Sequence, residues 1–297
     1  MNKKISVSII WAILAAALYA ISSPVSKILL LRAAPMMMAA FLYLGAGIGM
    51  FLLGIIRKNL GKGISEHHLT RKDLPFTVGM IVLDIAAPIL LMVGLNKTTA
   101  ANASLLNNFE IVATSVIALL VFREAIKKRL WLAIGLITLS SLILSFEDVS
   151  SLHFSFGSLL VLLACVCWGF ENNCTRMMSN SDPLEIVVIK GIGSGLGSLL
   201  IACAAGEPFP TLRYVPLILL LGFVSYGLSI FFYVYAQRNL GAAKTSAYYA
   251  VAPFIGVALS WGIFRETPSF SFLAALAIMI IGVYFTTTDA KGSCLQR

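Results

Sequence analysis

Long apolar stretches separated by short polar connections run along the whole chain. Ten of these stretches are each close to the roughly 20 residues that a helix needs to cross about 30 Å of hydrocarbon. They span residues 5–31, 36–56, 75–95, 100–122, 130–147, 155–177, 183–205, 214–237, 241–264 and 270–288. The pattern therefore predicts an all-α polytopic membrane protein with ten transmembrane helices.

The composition of the chain supports the same class of protein. Hydrophobic residues make up 59% of the sequence and charged residues only 12%, a balance typical of integral membrane proteins. The first apolar stretch is too long for a signal peptide, so we expect it to remain as a helix. No cysteine pair has CxxC spacing, and His67, His68 and His153 fall in predicted loops. We therefore expect neither a metal site nor a cofactor.

Basic residues are distributed unequally between the two sets of predicted connections. The chain holds 22 Lys and Arg against 13 Asp and Glu. If the N-terminus is inside, sixteen of these cations fall on the inner side, and the outer connections carry only Lys27, Arg32, Lys97, Arg213 and Arg265. This bias predicts that both termini are cytoplasmic and that the protein lies in the plasma or inner membrane. Because topology and attraction to anionic lipid explain the basic balance, nucleic acid is not an expected partner.

Two parts of the sequence repeat. Residues 99–124 align without gaps with residues 241–266, and both segments end in Phe-Arg-Glu. "YAISSPVSK" (19–27) likewise matches "WGFENNCTR" (168–176), with an aromatic residue first and a cation last. Five helices form one unit, and an odd number of helices reverses the orientation of the second copy. The sequence predicts two inverted five-helix repeats, residues 1–148 and 149–297, around a central cavity.

In these features the chain resembles the EamA-type members of the drug/metabolite transporter superfamily. The resemblance implies that the halves surround a central cavity that opens alternately to each side of the membrane. It also implies that Glu124 and Glu266 close helices four and nine in a structural role. The two copies differ where polarity is greatest, because Ser-Ser-Pro at 22–24 stands opposite Glu-Asn-Asn at 171–173. Any polar site is therefore expected to be asymmetric between the halves.

Four ionisable residues lie inside predicted transmembrane helices: Asp84, Glu110, Glu171 and Lys190. A charge at the centre of such a helix costs about 2.5 to 3.5 kcal/mol on insertion scales, so it usually faces the bundle interior or a wet cavity. Asp84 and Glu110 lie near the midpoints of helices three and four. Glu171 and Lys190 are expected at similar depth, as a pair that is either structural or functional. Alternatively, Lys190 extends toward the cytoplasmic surface.

Polar and aromatic side chains recur at helical spacing on several predicted helices, and we expect these faces to line a pathway. They are Asn107, Glu110 and Thr114; Trp168, Glu171, Asn172 and Thr175; Tyr19, Ser22, Ser23 and Ser26; Lys244, Tyr248 and Ala252; and Ser225, Ser229 and Phe232 with Tyr226 and Tyr233 nearby. Carboxylates beside aromatic rings suit an amine, an amino acid or a flat organic solute. Core packing or an interfacial belt is the alternative role for each aromatic residue.

Other motifs in the chain are interpreted as structural. "GIGSGLGS" (191–198) follows no strand, and its glycine spacing favours close helix packing over a dinucleotide site. Asp182 and Pro183 are expected to begin helix seven as N-cap and first residue. Pro88 and Pro253 are predicted inside helices three and nine, where each would permit a kink.

These observations favour a secondary active transporter of a small organic metabolite, such as an amine or amino acid. We expect proton coupling and alternating access, with Glu110 or Asp84 releasing a proton or neutralising a cationic substrate. The sequence contains no G-x-S-x-G, H-E-x-x-H or Walker motif, which argues against an enzyme. The alternatives are a broad-specificity exporter of organic cations or drugs, a membrane-embedded enzyme, and a lipid scramblase or structural membrane protein. Ten helices can enclose a pathway in one chain, so a monomer and a homodimer both remain compatible.

Overall fold

A computed structural model describes residues 3–59, 67–122, 128–148, 153–178, 181–240, 245, 248–265 and 267–292. Its helices are α1 (Lys3–Ala20), α2 (Ser22–Leu29), α3 (Pro35–Asn59), α4 (Leu74–Lys97), α5 (Ala100–Leu106), α6 (Phe109–Phe122), α7 (Lys128–Ser145), α8 (Phe156–Met177), α9 (Pro183–Ala204), α10 (Val215–Gly222), α11 (Ser229–Leu240), α12 (Ala252–Phe264) and α13 (Phe270–Gly292). A 3₁₀ turn, Arg71–Asp73, precedes α4, and a π-helical turn, Phe223–Leu228, joins α10 to α11. The strands β1 (Phe146–Asp148) and β2 (His153–Phe154) form a small antiparallel pair.

These helices match the predicted membrane-spanning architecture. Eight helical spans in the described part of the chain are long and apolar enough to cross a bilayer, and the last two apolar helices, Ala252–Phe264 and Phe270–Phe285, are shorter. The protein is therefore an integral, multi-pass, all-α membrane protein. The β1–β2 pair adds only a short hairpin between α7 and α8. The predicted boundary between the repeats, after residue 148, lies at this hairpin.

Within the described ranges, three of the helices that were predicted to be continuous are interrupted. The first breaks at Ile21, between α1 and α2, and the fourth breaks at Asn107 and Asn108, between α5 and α6. The ninth contains a turn at Ala250 and Val251, immediately before α12. When residues 99–124 are aligned with 241–266, the second and third breaks fall within one residue of each other. The two halves therefore share this irregularity.

Prolines account for two of the interruptions. Pro24 has no N–H group, so the carbonyl group of Ala20 lacks its usual helical donor. Pro253 has the same effect on the carbonyl group of Tyr249. Pro253 stands in the first turn of α12, where proline is favoured. The prediction that it lies in the interior of a continuous ninth helix was therefore wrong. Pro88, in contrast, does lie inside α4.

The pairing of the helices follows a pseudo-two-fold axis. α4 packs along α8, and α1 packs along α11. α3 packs along α9, α5 against α12, and α7 along α13. When the two halves are exchanged, the α4–α8 pair takes the place of the α1–α11 pair. The α3–α9, α5–α12 and α7–α13 pairs each map onto themselves. This pattern is the one expected of two equivalent five-helix halves related by a two-fold axis, and the all-helical structure with its membrane spans confirms the predicted fold class.

Glycines allow α3 and α9 to approach until their backbones touch. A Cβ atom added to Gly47 would lie 2.5 Å from the amide nitrogen of Ile192, and one added to Gly195 would lie 2.7 Å from that of Leu44. On another face of α9, Gly193 and Gly197 pack against side chains of α4. The glycines of residues 191–198 thus serve helix packing, as the sequence predicted.

Polar side chains also secure several helix ends. Asp182 accepts a hydrogen bond from the amide of Leu184, 2.9 Å away, as an N-cap of α9 should. Lys27 Nζ donates to the carbonyl oxygens of Leu95 and Thr98, at 2.6 and 2.7 Å, where α4 ends. The structural role expected for Glu124 and Glu266 lies outside the described residues.

Candidate functional site

Three ionisable side chains from three helices form a buried ionic cluster, defined here as Asp84, Glu171 and Lys190. Lys190 Nζ lies 3.0 Å from Asp84 Oδ2 and 2.9 Å from Glu171 Oε1. The residues are 0%, 2% and 5% exposed, respectively. Lys190 is therefore held between two carboxylates and does not extend to the membrane surface. The structure adds Asp84 to the pair of Glu171 and Lys190 considered from the sequence.

Hydrogen-bond donors surround the carboxylates of the ionic cluster. Tyr43 Oη donates to Asp84 Oδ1 over 2.9 Å, and Trp168 Nε1 lies 3.2 Å from the same oxygen. The Thr175 hydroxyl donates to Glu171. A buried charge is tolerated when it is paired and its remaining lone pairs find donors. Sequence reasoning missed Tyr43 because the surrounding residues of α3 are apolar or glycine, so no polar stripe marked it.

The packing of α4, α8 and α9 explains why these side chains meet. Trp168, Glu171 and Thr175 follow i, i+3, i+7 spacing and share one face of α8, the helix that packs along α4. Lys190 precedes Gly191 in the glycine-rich face of α9 that contacts α3. α3 brings Tyr43, and α4 brings Asp84.

Glu110 belongs to a second polar group. Asn172 Nδ2 donates to Glu110 Oε1 over 2.6 Å and lies 3.2 Å from Thr114 Oγ1. Glu110 is half-buried in the first turn of α6. Within the part of the chain that the structure describes, it forms no ion pair. The predicted polar face of α8 therefore serves two groups, since Asn172 faces α6 while Glu171 faces Lys190.

Four tyrosines form an aromatic cluster, defined here as Tyr19, Tyr43, Tyr226 and Tyr249. The ring of Tyr226 lies 5.8 Å from that of Tyr19 and 5.3 Å from that of Tyr43, and Tyr19 lies 5.7 Å from Tyr249. Ser22 Oγ donates to Tyr226 Oη over 3.0 Å. Because Tyr43 also contacts Asp84, the aromatic cluster reaches the ionic cluster. The π-helical turn at Phe223–Leu228 carries Tyr226, and such turns are frequent at functional sites.

Tyr248 takes a different position from the one expected. It packs with the small cluster of Ala12 and Ala236, while its neighbour Tyr249 joins the aromatic cluster. The turn at Ala250 and Val251 follows both residues, so the spacing of a continuous helix did not apply there. Lys244, predicted on the same face, lies outside the described residues.

Asn107, at the end of α5, borders a small cavity. This cavity measures about 10 Å³, room for about one water molecule. Its lining consists of Tyr19, Ala20, Ser23, Ser104, Asn107, Ala252, Pro253 and Gly256. Through its carbonyl oxygen, Asn107 also accepts a hydrogen bond from the amide of Glu110 over 3.1 Å. Asn107 thus lines the cavity and also contacts the backbone of Glu110.

Among the described residues, no group of three or more His, Cys, Asp or Glu side chains could hold a metal ion. The ionic cluster, the Glu110 group and the aromatic cluster can offer ion pairing, hydrogen bonding, proton exchange and contact with aromatic rings.

The chain is similar over most of its length to two proteins that are named as transporters. The chain is 27% identical over 292 residues to an uncharacterized transporter of Methanothermobacter thermautotrophicus, covering 92% of this chain and 84% of that protein. It is 21% identical over 232 residues to the uncharacterized transporter YyaM of Bacillus subtilis, covering 75% of each. A solved crystal structure superposes with a TM-score of 0.70 at 16% identity, over 95% of this chain and 96% of that one. The last likeness shows the fold alone.

A family model gives the assignment. The model of the EamA-like transporter family matches residues 6–146 and 155–288, which together cover nearly the whole chain. The match agrees with the resemblance read from the paired motifs, and with the ten-helix fold and its pseudo-two-fold helix pairing. The chain belongs to the EamA-like transporter family, within the drug/metabolite transporter superfamily.

Proposed function

We propose that this transporter is a secondary carrier of a small organic solute bearing an amino group, and that Glu110 couples its movement to protons. One observation supports the choice of Glu110. It is a carboxyl group inside the membrane that accepts a hydrogen bond from Asn172 and forms no ion pair among the described residues. Asp84 and Glu171, in contrast, already share the ammonium group of Lys190. The carboxyl group of Glu110 is therefore available to bind a proton or the ammonium group of a substrate.

The surroundings of Glu110 fit such a role. The amide of Asn172 can donate to the ionised carboxylate, and it can accept from the protonated carboxyl group if its own orientation reverses. Glu110 also lies directly after the break between α5 and α6. A helix end can move without breaking a continuous ladder of hydrogen bonds. Glu110 can therefore exchange its hydrogen bond with Asn172 for another partner while the transporter alternates between its inward and outward openings.

A second candidate function is the export of organic cations of varied structure. The aromatic cluster favours it, because tyrosine rings attract ammonium groups through their faces. A flat or quaternary cation would need ring contacts more than a hydrogen bond to Glu110. The two candidates therefore differ in which residues limit binding.

Transport in proteoliposomes tests the primary proposal. With an imposed pH gradient and a panel of amines, amino acids and sugars, we expect the wild type to accumulate at least one amine or amino acid. Glu110→Gln keeps the size of the side chain but carries no exchangeable carboxyl proton. It should lose gradient-driven accumulation at least tenfold while it retains exchange of labelled for unlabelled solute across the membrane.

The control is Glu185→Gln, which changes a carboxylate at the start of α9 that contacts His68 over 3.0 Å. This variant should accumulate solute at the wild-type rate. Unchanged gradient-driven accumulation in Glu110→Gln would overturn the assignment of the coupling residue. Saturable transport of quaternary cations that is abolished by Tyr226→Leu but unchanged by Glu110→Gln would instead support the exporter.

A further inference from the structure

The small cavity lies where three helix interruptions meet. Its residues come from the break between α1 and α2, from the end of α5, and from the beginning of α12. Both halves therefore contribute to it. Discontinuous helices of transporters commonly place unpaired backbone groups around ion and substrate sites.

Two oxygen atoms converge on the space beside Gly256. A Cβ atom added to this glycine would lie 2.8 Å from Ser104 Oγ and 3.3 Å from the carbonyl oxygen of Ala20. Ser104 is only 3% exposed, and its hydroxyl oxygen has no hydrogen-bond partner within the described structure. A buried hydroxyl group without a partner loses the hydrogen bonds that it would make in water, which is unfavourable. Gly256 has no side chain, so α12 can lie close to this hydroxyl group, and the cavity that both residues line leaves room for a ligand atom that would supply the missing partner.

The backbone around the cavity provides acceptors and few donors. Pro24 deprives the carbonyl oxygen of Ala20 of its helical donor. On the opposite side, Pro253 has no N–H group, and the amides of Phe254 and Ile255 already donate to the carbonyl oxygen of Val251. An anion would therefore find few free donors. A small cation would find carbonyl and hydroxyl oxygens in a space of suitable size.

We propose that this cavity binds a single Na⁺ ion, with the carbonyl oxygen of Ala20 and the hydroxyl group of Ser104 as its central ligands and Ser23 and Asn107 at its border. The ion would satisfy the buried Ser104 hydroxyl and join the two halves at their helix breaks. This inference goes beyond the proposed function, because it concerns an ion bound without substrate and without a proton gradient.

Thermal unfolding of the purified protein in detergent tests the site. We expect a saturable rise in Tm when NaCl replaces choline chloride at constant ionic strength, because a ligand that binds only the folded state stabilises it by mass action. KCl should give a smaller rise, since the cavity is small. Gly256→Ala should abolish the Na⁺-dependent rise, because its methyl group would lie 2.8 Å from Ser104 Oγ and force this proposed ligand to move.

Gly262→Ala provides a matched control in the same helix. A Cβ atom at Gly262 would meet nothing within 4 Å, so this variant should keep the full response to Na⁺. If Gly256→Ala does not fold, Ser104→Ala removes one ligand and should raise the Na⁺ concentration needed for half the effect at least threefold. Binding of radioactive Na⁺ to the same variants gives an independent readout.

Two results would overturn the Na⁺ site. The first is a wild-type Tm that does not distinguish Na⁺ from choline, which would leave the cavity with an ordered water only. The second is a Na⁺ response that persists unchanged in both Gly256→Ala and Ser104→Ala, which would place the ion elsewhere. Neither result bears on Glu110, whose test uses proton-driven flux, so the two proposals can fail separately.

Discussion

Lys190 allows two carboxylates to share the interior between α4, α8 and α9. Its ammonium group contacts both Asp84 and Glu171 at hydrogen-bond distance. Removal of one partner from a buried ion pair is costly, because it leaves an uncompensated charge. Here the removal of a single cation would affect two carboxylates.

We therefore predict that Lys190→Met lowers the free energy of unfolding by about 3 to 5 kcal/mol. Thermal or denaturant unfolding in detergent measures the change. The exposed residue Lys72 provides the control, and Lys72→Met should alter stability by less than about 0.5 kcal/mol.

A triple variant separates charge from packing at this cluster. Addition of Asp84→Asn and Glu171→Gln to Lys190→Met removes all three charges, so part of the lost stability should return. If Lys190→Met unfolds like the wild type, or if the triple variant is no more stable than Lys190→Met, the ion pairs do not hold these helices together.

At the scale of elements, the glycine contact between α3 and α9 sets how closely the two halves approach. This contact lies on the pseudo-two-fold axis, because α3 and α9 are equivalent helices of the two repeats. An added methyl group would meet backbone, which cannot rotate away as a side chain can. The helices would have to separate.

We predict that Gly47→Ala lowers the free energy of unfolding by about 1 to 3 kcal/mol, the usual cost of overpacking. Gly135→Ala in α7 is the control, since a Cβ atom there would meet nothing within 4 Å. Its improved helix propensity should leave stability unchanged or raise it by up to about 1 kcal/mol. Equal effects of the two variants on thermal unfolding would contradict a close backbone contact at Gly47.

The whole molecule combines a symmetric scaffold with an asymmetric interior. Each half contributes a broken helix at the same place in its repeat, yet the ionic cluster draws two of its three members from the second half. Glu110, in the first half, is aligned with Ala252 in the second. Proton handling by Glu110 alone would thus give the two halves unequal tasks, as the departure at residues 171–173 suggested.

The orientation of the whole chain is a separate prediction from loop charges. In a variant without the five native cysteines, a new cysteine at Leu212 should react with an impermeant maleimide added to intact cells. A cysteine at His68 should react only after the membrane is opened. Both positions are exposed, so access does not limit the reaction. The reverse pattern would show that the termini face outward.

Several features followed from the sequence alone because they depend on local physics. A run of apolar residues must form a membrane helix, since every backbone polar group in lipid needs an internal partner. The two Phe-Arg-Glu endings and the odd number of helices per repeat were enough to predict inversion. The glycine spacing of residues 191–198 was enough to predict a packing face.

Other features depend on contacts between distant residues, and only the tertiary structure decided them. Asp84 and Lys190 are far apart in the chain, and no local pattern shows that helix packing brings them within 3.0 Å. The helix breaks at Ile21 and at residues 107–108 escaped a reading based on apolar length, because the residues around them remain apolar enough for the membrane. The turn at Ala250 and Val251 accompanies the packing of Tyr248 against Ala12 and Ala236, and all three interruptions border the cavity beside Gly256. Hydropathy thus determined where the chain crosses the bilayer, while the packing of the helices determined which polar groups meet inside it.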